Sequence, residues 1–180
     1  VAYPKATDHP DRWQLTFETT GLRFFRDSRT GHGYWVMVYE VTNETESDQR
    51  WVPSFTLITD QGEVLDAGSD VPRRIQISIL EMLGDVLLEM QSEVSSALLK
   101  GEENASRGLV VWKAGREDVR ALQVFVSGVS GDIAKVTHPL TGEEVVLHRD
   151  LQLSWIVPGR VVGDLRPLPR RSVGGGVSVR

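Results

Sequence analysis

Apolar and polar residues alternate along most of this chain with a period of two. In "RWQLTFETTGLRFF", Trp13, Leu15, Phe17 and Thr19 share one side and Gln14, Thr16, Glu18 and Thr20 the other, the mark of a strand with one buried face. Gly21 interrupts the pattern as a bulge or bend would, and "LRFF" carries on beyond it. The polar "RDSRTGHG" predicts a turn. "YWVMVYEVTN" is apolar on both faces, with Trp35, Met37, Tyr39 and Val41 on one and Tyr34, Val36 and Val38 on the other, so it predicts a central strand covered from both sides. "WVPSFTLITDQGEVLDAG" predicts two strands joined at "TDQG", with Pro53 placing the first at an edge or a bulge.

The period then lengthens. Ile79, Met82, Leu83, Val86, Leu87, Met90, Val94, Ala97 and Leu98 recur at three- and four-residue spacing, a helical stripe. Asp70 and Pro72 suit a helix start and Lys100-Gly101 a stop, but Gly84-Asp85 sits between. The spacing predicts a helix over about 73–83 and leaves 86–99 open between helix and strand. Strand patterns return in "RGLVVWKA", "RALQVFVSGVSG", "IAKVTHPLTGEEVVLH", with a hairpin turn at "PLTGEE", and "DLQLSWIVPG", which alternates through Leu151, Leu153, Trp155 and Val157. The whole predicts a mainly β fold: an antiparallel β-sandwich with a helical excursion between strands. Residues 1–12 read as an N-terminal extension and 13–159 as the sandwich domain. Residues 160–180 read as a Gly/Pro/Arg-rich tail, either loose or pinned along an edge by "GVSVR".

Composition narrows the chemistry. At 180 residues, 40% hydrophobic and 25% charged, the chain is long enough to close a substantial core. A net charge of -5 disfavours nucleic acid as a partner. Cysteine is absent, which excludes thiol catalysis, disulfides and thiolate metal sites. No apolar run approaches the roughly 20 residues of a membrane-crossing helix. The start at Val1, without methionine, reads as a trimmed end downstream of a signal peptide or lipid anchor that this sequence does not show. Asn43 and Asn104 both fall in N-x-S/T triplets, and with only two cases coincidence is the better reading.

No catalytic residue, metal site or cofactor emerges. His32 in "GHG" has no partner at ligand spacing, and its glycines suit a turn with the imidazole at its tip in solvent. His138 and His148, with Glu143 and Glu144 near, lie on opposite arms of the predicted hairpin but out of register for zinc. Ser127 and Ser130 in "SGVSGD" do not form a nucleophile elbow and read as a strand exit. The acidic "TNETESDQ" and "DAGSD" offer oxygens to calcium, with solvated turns the plainer account. Core placement is the economical reading of the five tryptophans, and Trp51, after a polar loop, is the best placed of them for exposure and for stacking on a sugar or a partner. "RPLPRR" resembles a polyproline-II ligand, and reads better as a tether whose arginines face the acidic "EMLGDVLLEMQSE".

Four stretches together resemble a group of exported immunoglobulin-like β-sandwich proteins of unknown function from planctomycete-type bacteria. They are "YWVMVYEVTNET...WVPSFTLITDQGEVLDAG", "LLKGEENASRGLVVWKA", "VFVSGVSGD" and "HRDLQLSWIVPG", spanning roughly 13–159. The resemblance implies an immunoglobulin-like topology, a helix ending near Gly84 and an extended 86–99. It also implies an exported, periplasmic or cell-surface location and carries no assigned activity. With no convergent catalytic set, the expected function is non-catalytic: protein binding or scaffolding at the cell envelope, with a carbohydrate- or small-molecule-binding module accessory to an enzyme, using an aromatic patch near Trp51, as the alternative. Ligand and oligomeric state are not indicated.

Overall fold

The computed structural model describes residues 13–138 and 140–171, and the backbone of 177–179. The chain is mainly β and its strands are mostly antiparallel. In order they are β1 (Thr16–Arg26), β2 (Gly33–Thr42), β3 (Gln49–Arg50), β4 (Phe55–Thr59) and β5 (Val64–Asp66). The one α-helix among the described residues, α1 (Arg73–Leu83), follows, and then β6 (Leu88–Met90), β7 (Ala97–Leu98), a 3-10 turn at Glu102–Asn104 and β8 (Ser106–Lys113). β9 (Ala121–Val126), β10 (Ile133–Thr137), β11 (Glu144–Ile156) and β12 (Val177–Val179) complete the set. One sheet has the order β1-β2-β8-β6 and the other β10-β11-β9-β4-β5, with β12 also on β11 and β3 pairing β7 separately. Only the β6–β8 pairing is parallel among these ladders.

The first strand shows how pattern becomes packing. Leu15 and Phe17 face the core shared by the two sheets, and so do Leu22 and Phe24, although the parity has changed. The register shift between Thr19 and Gly21 makes that possible, since one extra residue turns the following side chains over. The Thr19 hydroxyl donates to the Val38 carbonyl at 2.7 Å and accepts the Gly21 N–H at 3.1 Å, fixing the bulge. Gly21 takes φ +113, open to glycine, and Pro167 lies over it.

Aromatic rings fill the shared core. Phe24 pairs with Trp35 across β1–β2, and Trp35 with Trp112 across β2–β8. The Phe24 and Trp35 rings meet edge-on, with centroids 4.8 Å apart. Trp155 reaches in from the opposite sheet. Each such burial contributes about 1.5–3 kcal/mol. Gly33 does not serve the turn by its backbone angle: it lies in β2, and a Cβ there would run into the Phe24 ring. Gly108, opposite Tyr39, is covered by that ring in the same way.

The second face of β2 is buried as well. Tyr34, Val36 and Val38 pack with Leu109 and Val111 of β8 beneath Ile75 and Ile79 of α1. The helix ends at Gly84, whose φ of +64 places its N–H on the Leu80 carbonyl at 3.0 Å. Beyond it the chain is extended into β6 and β7, so the helical spacing of 86–99 does not become helix. Asp27 holds α1 to the turn before β2. Its carboxylate accepts from Arg74 at 2.8 Å, from the Thr30 hydroxyl at 2.7 Å and from the Arg29 N–H at 3.2 Å. The Arg74 hydrogen bond, followed by that of Thr30, holds the Asp27 carboxyl well below the usual carboxylate range.

Two strands expected after the hairpin turn are one. β11 runs unbroken through Arg149 and Asp150, pairing first with β10 (Ile133 opposite His148) and then with β9 (Leu151 opposite Val126). The polar dipeptide looks like a turn in sequence, but Arg149 donates to Asp132 at 2.9 Å and β12 pairs with 149–151 on the same strand.

The region after Gly159 is not loose where it is described. Leu165 and Leu168 donate their N–H groups to the Phe24 and Leu22 carbonyls of β1 at 3.2 and 2.7 Å. Ile156 then donates to Pro169, and Arg171 to Ser154, both at 2.9 Å. Val161 and Leu168 join the core between the sheets and Leu165 the one beneath α1. The segment closes the free edge of β1 and continues onto β11. Among the described residues its arginines form no ion pair with the acidic 81–93 stretch, and Arg166 pairs with Asp164 instead.

Candidate functional site

The residues weighed for chemistry fall in three places. The first is the turn before β2. His32 is exposed at its tip, Gly31 takes φ +74, and the Asp27 N–H donates to the His32 carbonyl at 2.9 Å. At the β10–β11 hairpin, the His138 Nδ1 accepts the Leu140 and Thr141 N–H groups at 3.3 and 3.2 Å, so this imidazole caps the turn. Glu144 pairs with Lys135 at 2.8 Å. His148 lies at the other end of the ladder, opposite Ile133. Among the described residues, no three His, Asp or Glu side chains converge on a metal-sized space.

The acidic loop 43–48 is organised from within. Asn43 is 0% exposed. Its Nδ2 donates to the Ser47 and Leu98 carbonyls at 2.9 and 3.0 Å, and its Oδ1 accepts from the Thr45 N–H and hydroxyl at 3.0 and 2.7 Å. All four hydrogen-bonding positions of the amide are thus filled. Asp48 accepts the Lys100 N–H at 3.0 Å and Glu46 pairs with the Lys100 ammonium at 3.0 Å. Oxygens counted toward calcium are committed to the neighbouring "LLKGEEN" loop. Beside it Trp51 is 2% exposed, with its N–H on the Ser96 carbonyl at 2.9 Å and its ring 6.0 Å from Tyr39. The Tyr39 hydroxyl is pushed up to about 12 by burial. The indole of Trp51, read as core and weighed in the alternative as a stacking surface, is therefore interior.

The third place is where β9 leaves for β10. A cleft of about 510 Å³ is bordered by Trp13, Ser127, Ser130, Ile133, His148 and Asp150, with Gly128 and Gly131 in its wall. Trp13, expected in the core, is the tryptophan that remains partly exposed. The Ser127 hydroxyl shares a hydrogen bond with Ser54 at 2.6 Å, and Ser130 accepts the Asp132 N–H at 3.1 Å. Neither serine is hydrogen-bonded to His148 among the described residues, so the arrangement lacks an activated nucleophile. A second cleft, of about 420 Å³, lies by Glu117, Asp118, Arg120 and Arg160. Its carboxylates are engaged by Arg26 and Arg116, at 2.5 and 2.6 Å.

A different feature was hidden in the helical stripe. Met82 is 58% exposed, Val86 96% and Leu87 68%. Asp85 builds the turn that presents them, accepting the Leu87 N–H at 3.1 Å and pairing with Arg107 at 2.6 Å. The apolar tip is therefore held out by a fixed turn. Exposed Glu81 and Glu89 flank it. The only sequence sign was Gly84-Asp85, which breaks the stripe at the point where it leaves the core.

Among the described residues, no helix is long and apolar enough to cross a membrane. No family model, curated protein or solved structure matches this chain.

Proposed function

We propose that this chain is a non-catalytic, exported immunoglobulin-like β-sandwich module that acts by binding a protein partner at the cell envelope. One observation carries the reading: the exposed ledge of Met82, Val86 and Leu87, fixed by the Asp85–Arg107 pair. Large apolar side chains grouped on a built turn are a contact surface, whereas single ones scattered over a surface need no explanation. The immunoglobulin-like assignment draws support from two mostly antiparallel sheets sharing a core rich in tryptophan. Serines and acids with partners of their own support the non-catalytic half.

A photo-crosslinking residue at position 86 tests it in living cells of the native host, with position 64 as an exposed apolar control and fractionation of the envelope. A discrete adduct from 86 in the exported fraction, absent from 64, is the expected result. Adducts of equal yield from both positions, or product confined to the cytoplasm, would overturn it.

A further inference from the structure

We infer that the cleft beside Arg120 and Arg160 binds the phosphate group of a small ester. This stands apart from the ledge and needs no part of it. Arginines of this acidic chain are commonly spent on its own carboxylates, as Arg73, Arg74, Arg107, Arg149 and Arg166 are. Arg120 and Arg160 are not. Both border the cleft of about 420 Å³, and among the described residues neither guanidinium has a hydrogen-bond or ion-pair partner. The two acids on the same cleft are taken by other arginines. Arg26 holds both oxygens of Glu117, at 3.0 and 2.5 Å, and Arg116 both of Asp118, at 2.9 and 2.6 Å. Asp60 accepts the backbone N–H of Arg120 at 3.0 Å rather than its guanidinium. Two internally matched pairs thus leave two guanidinium forks open on one cleft.

The backbone around the cleft is set before a ligand arrives. Val119, just before Arg120, and Val161, just after Arg160, are both buried in the core between the sheets. The Val157 N–H donates to the Arg120 carbonyl at 2.9 Å and ties the two sides together. Arg26 is fixed in turn, since it donates to the Gly31 carbonyl at 3.1 Å and the backbone of Gly163 lies close against it. Gly159 takes φ +77, and a Cβ there would meet nothing within 4 Å, so no side chain crowds the turn that carries Arg160. A guanidinium presents a planar fork of donors that matches the oxygens of a phosphate or a carboxylate. Two forks bring two charges, and a phosphate monoester concentrates close to two negative charges on one group that both can share. A volume of about 420 Å³ leaves room for the rest of a small ester. Two cations are too few for a nucleic acid, whose binding draws on a row of phosphate contacts.

The probes are glycerol 3-phosphate and succinate, titrated into isotopically labelled protein at constant ionic strength and followed by NMR. Glycerol 3-phosphate should move the Gly159 and Arg160 amides and the Nε–H signals of Arg120 and Arg160 together, to saturation. Succinate, whose two charges sit on separate groups, should bind at least about tenfold more weakly. Arg120→Gln and Arg160→Gln, both at exposed positions, should leave the thermal midpoint unchanged and each weaken the phosphate titration about tenfold. Arg50→Gln is the control for charge alone: Arg50 is exposed and lies before β4, whereas the cleft lies past the far end of that strand at Asp60, and its loss should leave the titration as it was. The inference falls if glycerol 3-phosphate gives no saturable shift, even should vesicles of phosphatidic acid sediment the protein. It falls equally if succinate binds as well, or if Arg50→Gln weakens binding as much as Arg160→Gln.

Discussion

Two segments of this molecule are placed contrary to their composition. Residues 160–171 are rich in arginine and proline, yet Val161 and Leu165 are buried and the backbone is bonded to two strands. Residues 82–87 read as core, yet Met82, Val86 and Leu87 face solvent. The difference lies in what each segment finds beside it. β1 is an edge with free carbonyls at Leu22 and Phe24, and any backbone able to donate there gains hydrogen bonds and brings its few apolar side chains inward. The end of α1 finds no such edge. Gly84 turns the chain away from β8, and the next residues pass over a tip before β6 returns.

The sharpest way to break this contrast is Leu165→Ala. Leu165 takes a left-handed backbone (φ +57), a conformation costing roughly 1–2 kcal/mol, and its burial offsets that cost. Truncation should lower stability by about 2 kcal/mol or more in urea unfolding. A change below about 0.5 kcal/mol would mean that the segment is only laid on the surface.

A middle effect is expected from Asp27→Asn, which loosens α1 and so tests whether the ledge has a rigid base. The folded Asp27 carboxyl titrates below its unfolded value of about 4, so its contribution is full above that pH and is lost as pH falls toward the folded value. Urea midpoints should show the variant less stable at neutral pH, with the gap to wild type closing below about pH 4. A gap that is constant with pH would assign the effect to packing alone.

The smallest effect belongs to the ledge. Val86→Ser with Leu87→Ser should change stability by no more than about 0.5 kcal/mol, because both side chains already face water. Loss of a kcal/mol or more in the same unfolding assay would show that they pack after all.

Much of the architecture was legible because it rests on local rules. The Gly21 bulge, the two-faced β2, the "TDQG" turn at Gly62 and the helix stop at Gly84 each depend on residues within a few positions of one another. Placement of the tail was not legible, since its partners are the carbonyls of Leu22, Phe24 and Ser154, groups that every sequence carries. The polar loop before Trp51 marked it as the tryptophan best placed for exposure, although core placement was the preferred reading, and it is buried. The bond from its N–H to Ser96, brought alongside by the β3–β7 pair, draws it inward. The cleft was invisible for a third reason: Trp13, Ser130 and His148 come from segments far apart, and each alone has a plain structural account. Their convergence exists only once β11 has changed partners from β10 to β9.

Asn43 imposes an order of events in any eukaryotic secretory host. Glycosylation needs its amide nitrogen, which in the folded chain is spent on Ser47 and Leu98 and sealed from solvent. A sugar added during synthesis therefore forbids the native loop, and the native loop forbids the sugar. Thr45, which completes the acceptor triplet, is the same residue that orients Asn43 through its hydroxyl, so silencing the acceptor by replacing the threonine would also unsettle the loop. Recombinant yield from such a host is set by a race between enzyme and folding.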